Sequence, residues 1–242
     1  MARSTKSEGK TRRRAAPKRG GFARAWRRWL LRGVLGVVGV VALAICAYAI
    51  INPPTTPYMW GEGRRLGGVE QVWVPMERIA PVMARSAVAA EDANFCEHWG
   101  LDVTAIRAAL DAGSNRGAST ISQQVVKNVY LWQGRSWLRK AIEAGLTPLM
   151  EAVWSKRRIL EVYLNVAEFA EGVFGVEAAA QHYFGVSAAD LTATQAARLA
   201  AVLPNPKEWS ASDPSDHVRR RASQIADGAA TIAADGRAAC FQ

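Results

Sequence analysis

The 242-residue sequence predicts a mainly α-helical exported domain behind a single N-terminal transmembrane helix. Three observations carry that expectation. Gly33 to Ile51 is a run of nineteen residues without a charge, and ~18 such residues suffice to cross a bilayer as a helix. From Pro75 onward apolar residues recur at three- and four-residue steps, the period of helices rather than strands. Capping residues then punctuate the chain at helix-like intervals.

Arg24, Arg27, Arg28 and Arg32 crowd the N-terminal side of the apolar run, with Trp26 and Trp29 where interfacial aromatics belong. The positive-inside rule therefore places Met1 in the cytoplasm and the bulk of the chain across the membrane. A cleaved signal peptide fits less well, because the run exceeds an ordinary h-region and Asn52-Pro53-Pro54 offers no small-residue cleavage pattern. Residues 52–74, rich in Pro, Gly and Thr, read as an extended stalk with at most one brief strand near Val72.

Beyond the stalk, Ile79, Val82, Met83, Ser86, Ala87 and Ala90 trace a helix that leads into Glu91-Asp92. Asp102 caps a second helix that buries Ile106, Ala109 and Leu110 and stops at Gly113. After the link 114–117, Ser119 or Thr120 caps a third helix running to about Leu131. Ser136 opens a longer helix that Pro148 should kink or divide, and Ser155 opens another through Val166. Val176 to Phe184 is a short helix, Thr192-x-x-Gln195 has capping-box spacing, and residues 214–235 form a last, weakly patterned helix. The expected layout is a basic tail (1–32), a membrane helix (33–51), a stalk (52–74), one globular domain (75–213) and a C-terminal helix and tail (214–242).

Composition removes several classes of protein. Half the residues are hydrophobic and 21% charged, which excludes wholesale disorder and collagen-like repetition. The formal charge is +10, yet Met1–Arg32 carries +11 and the remainder −1. The high isoelectric point is thus a property of the tail, so it points to no nucleic-acid partner. Cys96 and Cys240 are expected to be separate packing or surface residues, since nothing in the sequence pairs them.

Four stretches hold polar residues that packing does not require. Glu91-Asp92, at the negative end of a helix dipole, is a setting that raises a carboxyl pKa and suits a general base. Ser119 to Asn128 places hydroxyl groups at a helix start, followed by Gln124, Lys127 and Asn128 on one face. Arg135, Arg139 and Lys140 surround Glu143, a cation-rich arrangement suited to a phosphorylated group with a carboxylate positioning a cation or metal. Ser155 to Asn165 reads as mainly structural, with Lys156 to Arg158 on a solvated face. The three histidines fall in no zinc pattern, and no Walker loop, GxGxxG or GxSxG is present.

In order along the chain stand Glu91-Asp92-x-x-Phe95-x-x-His98-x-Gly100, Gly117-x-Ser119-Thr120-Ile121-x-Gln123-Gln124-x-x-Lys127-Asn128 and Arg139-Lys140-x-x-Glu143. With Lys156-x-x-Ile159-Leu160-Glu161-x-Tyr163-Leu164-Asn165 they resemble the motifs of the peptidoglycan glycosyltransferases, family 51, over roughly residues 70–210. The resemblance implies a lysozyme-like helical fold and, with no penicillin-binding domain after the motifs, the monofunctional form of the family. It implies an inverting transferase that polymerises lipid II into β-1,4-linked glycan strands and releases undecaprenyl diphosphate. Glu91 matches the general base and Glu143 the second glutamate, which supports the departing diphosphate through a divalent cation, Mg or Mn. Lys127, Arg135, Arg139 and Lys140 match the cations around that diphosphate. Ser119, Thr120, Gln123, Gln124 and Asn128 match the polar wall of the cleft.

As partners the resemblance implies lipid II, the lipid-linked glycan chain, the membrane, and other cell-wall synthases and division proteins. The implied location is the bacterial inner membrane, single-pass, with the catalytic domain periplasmic. Ala118, Phe169-Ala170-Glu171 and Cys96 depart from the family's usual residues, and none of these replaces a charged catalytic position. A lysozyme-like hydrolase and an idle scaffold are the rival readings. The first needs no phosphate-binding cations, and the second needs neither glutamate.

Overall fold

The computed structural model describes residues 20–111, 119–134 and 136–242, with side chains from Trp26 onward, residues 109 and 110 excepted. Gly113, the 114–117 link and Arg135 lie outside the described residues. The chain divides into two compact units, residues 1–43 and 44–242.

Helix α1 (Gly20–Tyr48) begins in the first unit and ends in the second, and its Trp26–Tyr48 stretch is long and apolar enough to cross a membrane. Its large apolar side chains, among them Leu35, Val37 and Leu43, are exposed. A helix that is apolar all round needs a non-aqueous surrounding. The helix ends at Tyr48, three residues before the apolar run does.

The second unit contains α2 (Pro57–Leu66), β1 (Glu70–Gln71), α3 (Pro81–Glu91), α4 (Val103–Asp111), α5 (Ile121–Tyr130), α6 (Trp137–Glu151) and α7 (Lys156–Val166). It continues with β2 (Glu168–Ala170), β3 (Val173–Phe174), α8 (Val176–Phe184), α9 (Ala193–Val202) and α10 (Asp216–Ala234). The small sheet has order β1-β3-β2, with β1 parallel and β2 antiparallel to β3. Helices α3, α9 and α10 pack as one group, while α5 lies against α6 and α7. Contacts between α3 and α7 join the groups. The core is made of Met83, Ala87, Val125, Leu160, Leu164, Leu199 and Ile225.

Capping chemistry sets most helix starts. Thr120 and Thr192 form full capping boxes with Gln123 and Gln195, and the Ser136, Ser155 and Ser215 hydroxyls accept from the third backbone N–H of their helices. Helix α6 passes through Pro148 without division. Proline in the last turn removes a single backbone donor, a loss that packing of Met150 and Glu151 offsets.

The stalk expectation fails at residues 57–66, which are helical. Thr56 accepts from Met59 N, Pro57 occupies the first turn, and Gly67 at φ 83° closes the helix. Proline at the start and glycine just past the end are helix punctuation rather than stalk composition. Internal Gly61 and Gly63 weaken intrinsic helicity, so tertiary contacts hold α2. Tyr58 supplies one, donating its hydroxyl to buried Glu168 and packing edge-on against Phe174.

Lys156 and Arg158 do not lie on a solvated face. Lys156 pairs with buried Glu151 at 2.8 Å, donates to His98 O and covers the Phe95 ring. Glu151 also accepts from the Ser122 hydroxyl, so one carboxylate joins α5, α6 and α7. Arg158 donates to Tyr48 O and Ile51 O and pairs with Glu161, a cation at carbonyls left open by a helix end. Helical periodicity hides these roles, because long side chains reach around the helix that carries them.

Cys96 and Cys240 form a disulfide across 144 residues of sequence, contrary to the expectation of two separate residues. It fastens the C-terminal segment to the loop after α3, where Phe241 packs near Phe95 and Arg237 donates to Ala93 O. No local spacing signals a pair that far apart. Cys240→Ser should lower stability by about 2–5 kcal/mol, read as a lower urea midpoint with helicity kept, whereas an unchanged midpoint contradicts the staple. Glu151→Gln leaves the largely buried Lys156 ammonium unpaired and should cost about 3–5 kcal/mol in the same measurement. A loss no larger than a surface pair's would contradict that role.

Candidate active site

The site begins where α3 stops. Asp92 follows Glu91 as the C-cap, and its Oδ2 accepts from Ile121 N at 2.9 Å, the first backbone N–H of α5. A carboxylate at that helix start complements the partial positive charge there. His98 Nε2 lies 2.7 Å from Asp92 Oδ1, which fixes the second oxygen. The end of α3 is thereby tied to the start of α5, and Glu91 comes to face the second turn of α5.

Gln124 in that turn donates from Nε2 to Glu91 Oε2 at 2.9 Å. The buried Tyr163 hydroxyl on α7 donates to Gln124 Oε1 at 3.4 Å, which turns the amide so that its nitrogen faces Glu91. Arg221 of α10 donates to Glu91 Oε1 at 3.4 Å. The Glu91 side chain keeps 14% of its exposure, enough for an incoming group to touch it. Burial pushes its pKa up, and the Gln124 hydrogen bond and the Arg221 and Lys127 charges only partly oppose that. Desolvation is the leading cause of that rise, with the Asp92 charge adding to it.

Lys127 and Asn128 lie on the same face of α5 as Gln124, at the three- and four-residue steps that stack side chains. Lys127 is within electrostatic range of Glu91 and also of Glu143, Arg139 and Lys140. Burial pushes its pKa down, opposed chiefly by Glu143. On α6, Glu143 accepts from Arg139 Nη1 and Lys140 Nζ, one on each oxygen, and its side chain keeps 3% exposure. This is a buried carboxylate bridging a largely buried Arg139 and a half-exposed Lys140, rather than a surface i,i+4 pair. Lys140 also donates to the Ser119 hydroxyl at 3.0 Å.

Two cavities flank the Glu91–Gln124 hydrogen bond. One of about 260 Å³ is lined by Glu91, Asp92, Asp102, Ser119 and Thr120. The other, about 340 Å³, is lined by Gln124, Lys127, Asn128, Tyr58, Tyr163 and Lys207, among others. Thr120 and Gln123, expected on the cleft wall, are buried and use their side-chain oxygens in the α5 cap, while Thr120 also donates to Gly100 O and lines the smaller cavity. Gly100 has to be glycine at φ 83°, where a Cβ would stand 2.6 Å from Thr147 Cγ2.

Each Glu143 oxygen holds a cationic partner, Arg139 on one and Lys140 on the other. Donor atoms of Asp92, His98 and Asp102 lie within 4.8 Å of one another, close enough to surround one ion. Both Asp92 oxygens and both Asp102 oxygens also hold hydrogen bonds within the chain.

Sequence reading missed Arg221. The signal was present: Val218, Ala222, Ile225, Ala229 and Ile232 mark the buried stripe of α10, and Arg221 stands at its edge, three residues after Val218.

Desolvation of Glu91 carries a cost with a definite sign. A carboxyl whose folded pKa is raised binds a proton that the unfolded chain has released, so stability falls as pH rises from the ordinary glutamate range through the raised value. Glu91→Gln has no such loss. Its melting temperature should gain on the parent's as pH climbs from about 4 to neutrality. Parallel melting curves over that range would show that Glu91 is not desolvated.

A transglycosylase family model matches residues 62–230. A biosynthetic peptidoglycan transglycosylase of Jannaschia sp. is 67% identical, the match covering 91% of this chain and 92% of that one. Proteins of the same description from Rhodospirillum centenum and Caulobacter vibrioides are 47% and 45% identical, covering 88% and 90% of this chain and 96% of each relative. The desolvated glutamate, the cationic cluster reached through Lys127 and these matches agree, and the chain belongs to the transglycosylase family.

Proposed function

We propose that the chain polymerises lipid II into β-1,4-linked glycan strands for the cell wall, with Glu91 as the general base. The observation that carries this is a partly desolvated carboxylate linked through Lys127 to Arg139, Lys140 and Glu143. Glycosyl transfer from a lipid diphosphate needs both halves of that arrangement. One group must take a proton from the attacking hydroxyl, and concentrated positive charge must receive the leaving diphosphate.

In this reading the acceptor's GlcNAc 4-hydroxyl gives its proton to Glu91 as its oxygen bonds to the donor's anomeric carbon. The bond from that carbon to the diphosphate oxygen breaks, and its electron pair leaves with undecaprenyl diphosphate. Attack opposite an α-linked diphosphate inverts the centre, so the new linkage is β. A carboxylate with a raised pKa is a stronger base than an exposed one, which suits this step. Lys127, Arg139 and Lys140 receive the diphosphate charge, Arg135 joins them as a proposed cation, and Glu143 holds the Arg139 and Lys140 side chains in place. Gln124 orients the base, while Ser119 and Asn128 line the cavities on either side. No step is routed through a divalent cation, since Lys127, Arg139 and Lys140 supply positive charge for the leaving group.

The N-terminal apolar helix makes a single-pass membrane anchor, and a tethered enzyme meets lipid-linked substrates at raised effective concentration. We place the N-terminus in the cytoplasm and the catalytic domain outside the inner membrane. The arginines before the helix support that orientation, and so does the Cys96–Cys240 disulfide, a bond that persists in oxidising compartments.

Purified protein in detergent should convert lipid II to polymer, with loss of product when moenomycin is added. Glu91→Gln should lower the rate by about 10²- to 10⁴-fold while leaving the circular dichroism spectrum unchanged. A fully active Glu91→Gln enzyme would remove Glu91 from its role. Muropeptides released from sacculi, without polymer formation, would replace synthesis by a lytic activity.

A further inference from the structure

We infer that Arg221, on helix α10 beyond the four sequence motifs, is a positioning residue for the reaction, holding one oxygen of Glu91 while Gln124 holds the other. The inference rests on Glu91 being the general base.

Geometry supports it at three points. Arg221 Nη2 lies 3.4 Å from Glu91 Oε1 and 3.3 Å from Ala90 O, while Gln124 Nε2 lies 2.9 Å from Glu91 Oε2. The two donors thus grip different oxygens from different helices and define the plane of the carboxylate. A long side chain at the end of α3 otherwise has several rotamers open to it, most of them unproductive. Both Arg221 contacts are long, as catalytic hydrogen bonds often are before substrate arrives.

The second point is the helix that delivers Arg221. Gly228 stands two turns further along α10 on the same face, and a Cβ there would come within 3.2 Å of Ala89 Cβ. The absent side chain lets α10 lie close against the last turns of α3, which brings the guanidinium within reach of Glu91. Val218, Ala222, Ile225 and Ala229 bury the rest of that face, so the helix cannot roll without exposing them. The C-terminal segment beyond α10 is also joined covalently, through Cys240, to the loop that follows Glu91.

The third point is that helix packing does not account for the arginine. Arg221 stands beside the buried stripe of Val218, Ala222, Ile225, Ala229 and Ile232, and its Nε is buried with no hydrogen-bond partner among the described residues. A methionine or leucine would fill the same space without that desolvation cost. Neighbouring Arg219 and Arg220 are exposed, and Arg219 pairs with Asp216, so the role does not belong to the basic run as a whole.

The test compares Arg221→Gln, Arg221→Lys and Arg219→Gln in the full-length protein, with kcat and KM for lipid II polymerisation measured alongside melting temperature. Losing a hydrogen bond to a charged group corresponds to a fall in kcat of about 10- to 100-fold, with KM within about twofold if only positioning is lost. Arg221→Lys keeps one cationic donor and should recover part of the loss, and Arg219→Gln should match the parent. A kcat for Arg221→Gln within twofold of the parent overturns the inference. So does a loss that Arg221→Lys shares in full. Should Arg221→Gln fail to fold, Arg221→Lys decides alone: several-fold lower kcat at unchanged KM supports positioning, and an unchanged kcat overturns it. Glu91→Gln runs beside them. Activity in that variant fails the underlying assignment of the base, whereas an inactive Glu91→Gln with a normal Arg221→Gln fails only the inference about Arg221.

Discussion

The contact on which the site depends is the hydrogen bond from the first N–H of α5 to the Asp92 carboxylate. A helix start has backbone donors with no partner inside the helix, and a helix end has carbonyls in the same position. Asp92 stands at the end of α3 and satisfies the start of α5, so these two helices meet end to start at a fixed distance. Once they do, Glu91 has one neighbour it can reach on α5, the Gln124 amide, and Lys127 follows one turn later on the same face. His98 and Gly100 serve the same joint. The imidazole holds the other Asp92 oxygen, and the Gly100 carbonyl accepts from the capping Thr120 hydroxyl.

Around that joint the chain sets a desolvated acid beside a set of cations. Burying Glu91 weakens its ionised form, and burying Lys127 weakens the ammonium. Each is a cost to folding that a protein selected for stability alone would shed. The surrounding packing carries it: Met83, Ala87, Val125, Tyr163 and Leu164 close the core beside the site, and Glu151 with Lys156 ties the three helices beneath it. Arg139 and Lys140 are gathered by Glu143 before any anion arrives, so less ordering remains for the substrate to bring about.

What was legible in the sequence divides by range. Local chemistry was read directly. Asp102, Ser136, Ser155 and Thr192 cap the helices they were expected to cap, and Val176–Phe184 has the expected bounds. These features depend on residues three or four positions apart, which a sequence displays. Helix α2 shows the limit of composition, since the same Thr, Pro and Gly that suggest a stalk are the cap, first turn and terminator of a helix. Contacts at long range left no local trace. The Cys96–Cys240 bond, the Lys156–Glu151 pair and the hydroxyl bond from Tyr58 to Glu168 each join elements whose meeting depends on the whole fold. Within the candidate site, the sequence singled out Glu91, Gln124, Lys127, Arg139, Lys140 and Glu143, and Thr120, read both as a cap candidate and as cleft wall, caps α5 and lines the smaller cavity. Arg221 escaped because the basic run around it resembles a solvated surface.

An experimental structure with a non-hydrolysable lipid II analogue bound would test the account at its centre. The diphosphate should lie in hydrogen-bond contact with Lys127 and with Arg139 or Lys140, and a sugar hydroxyl should lie against a Glu91 oxygen. A diphosphate seated elsewhere, or a Glu91 that touches no sugar hydroxyl, would contradict it.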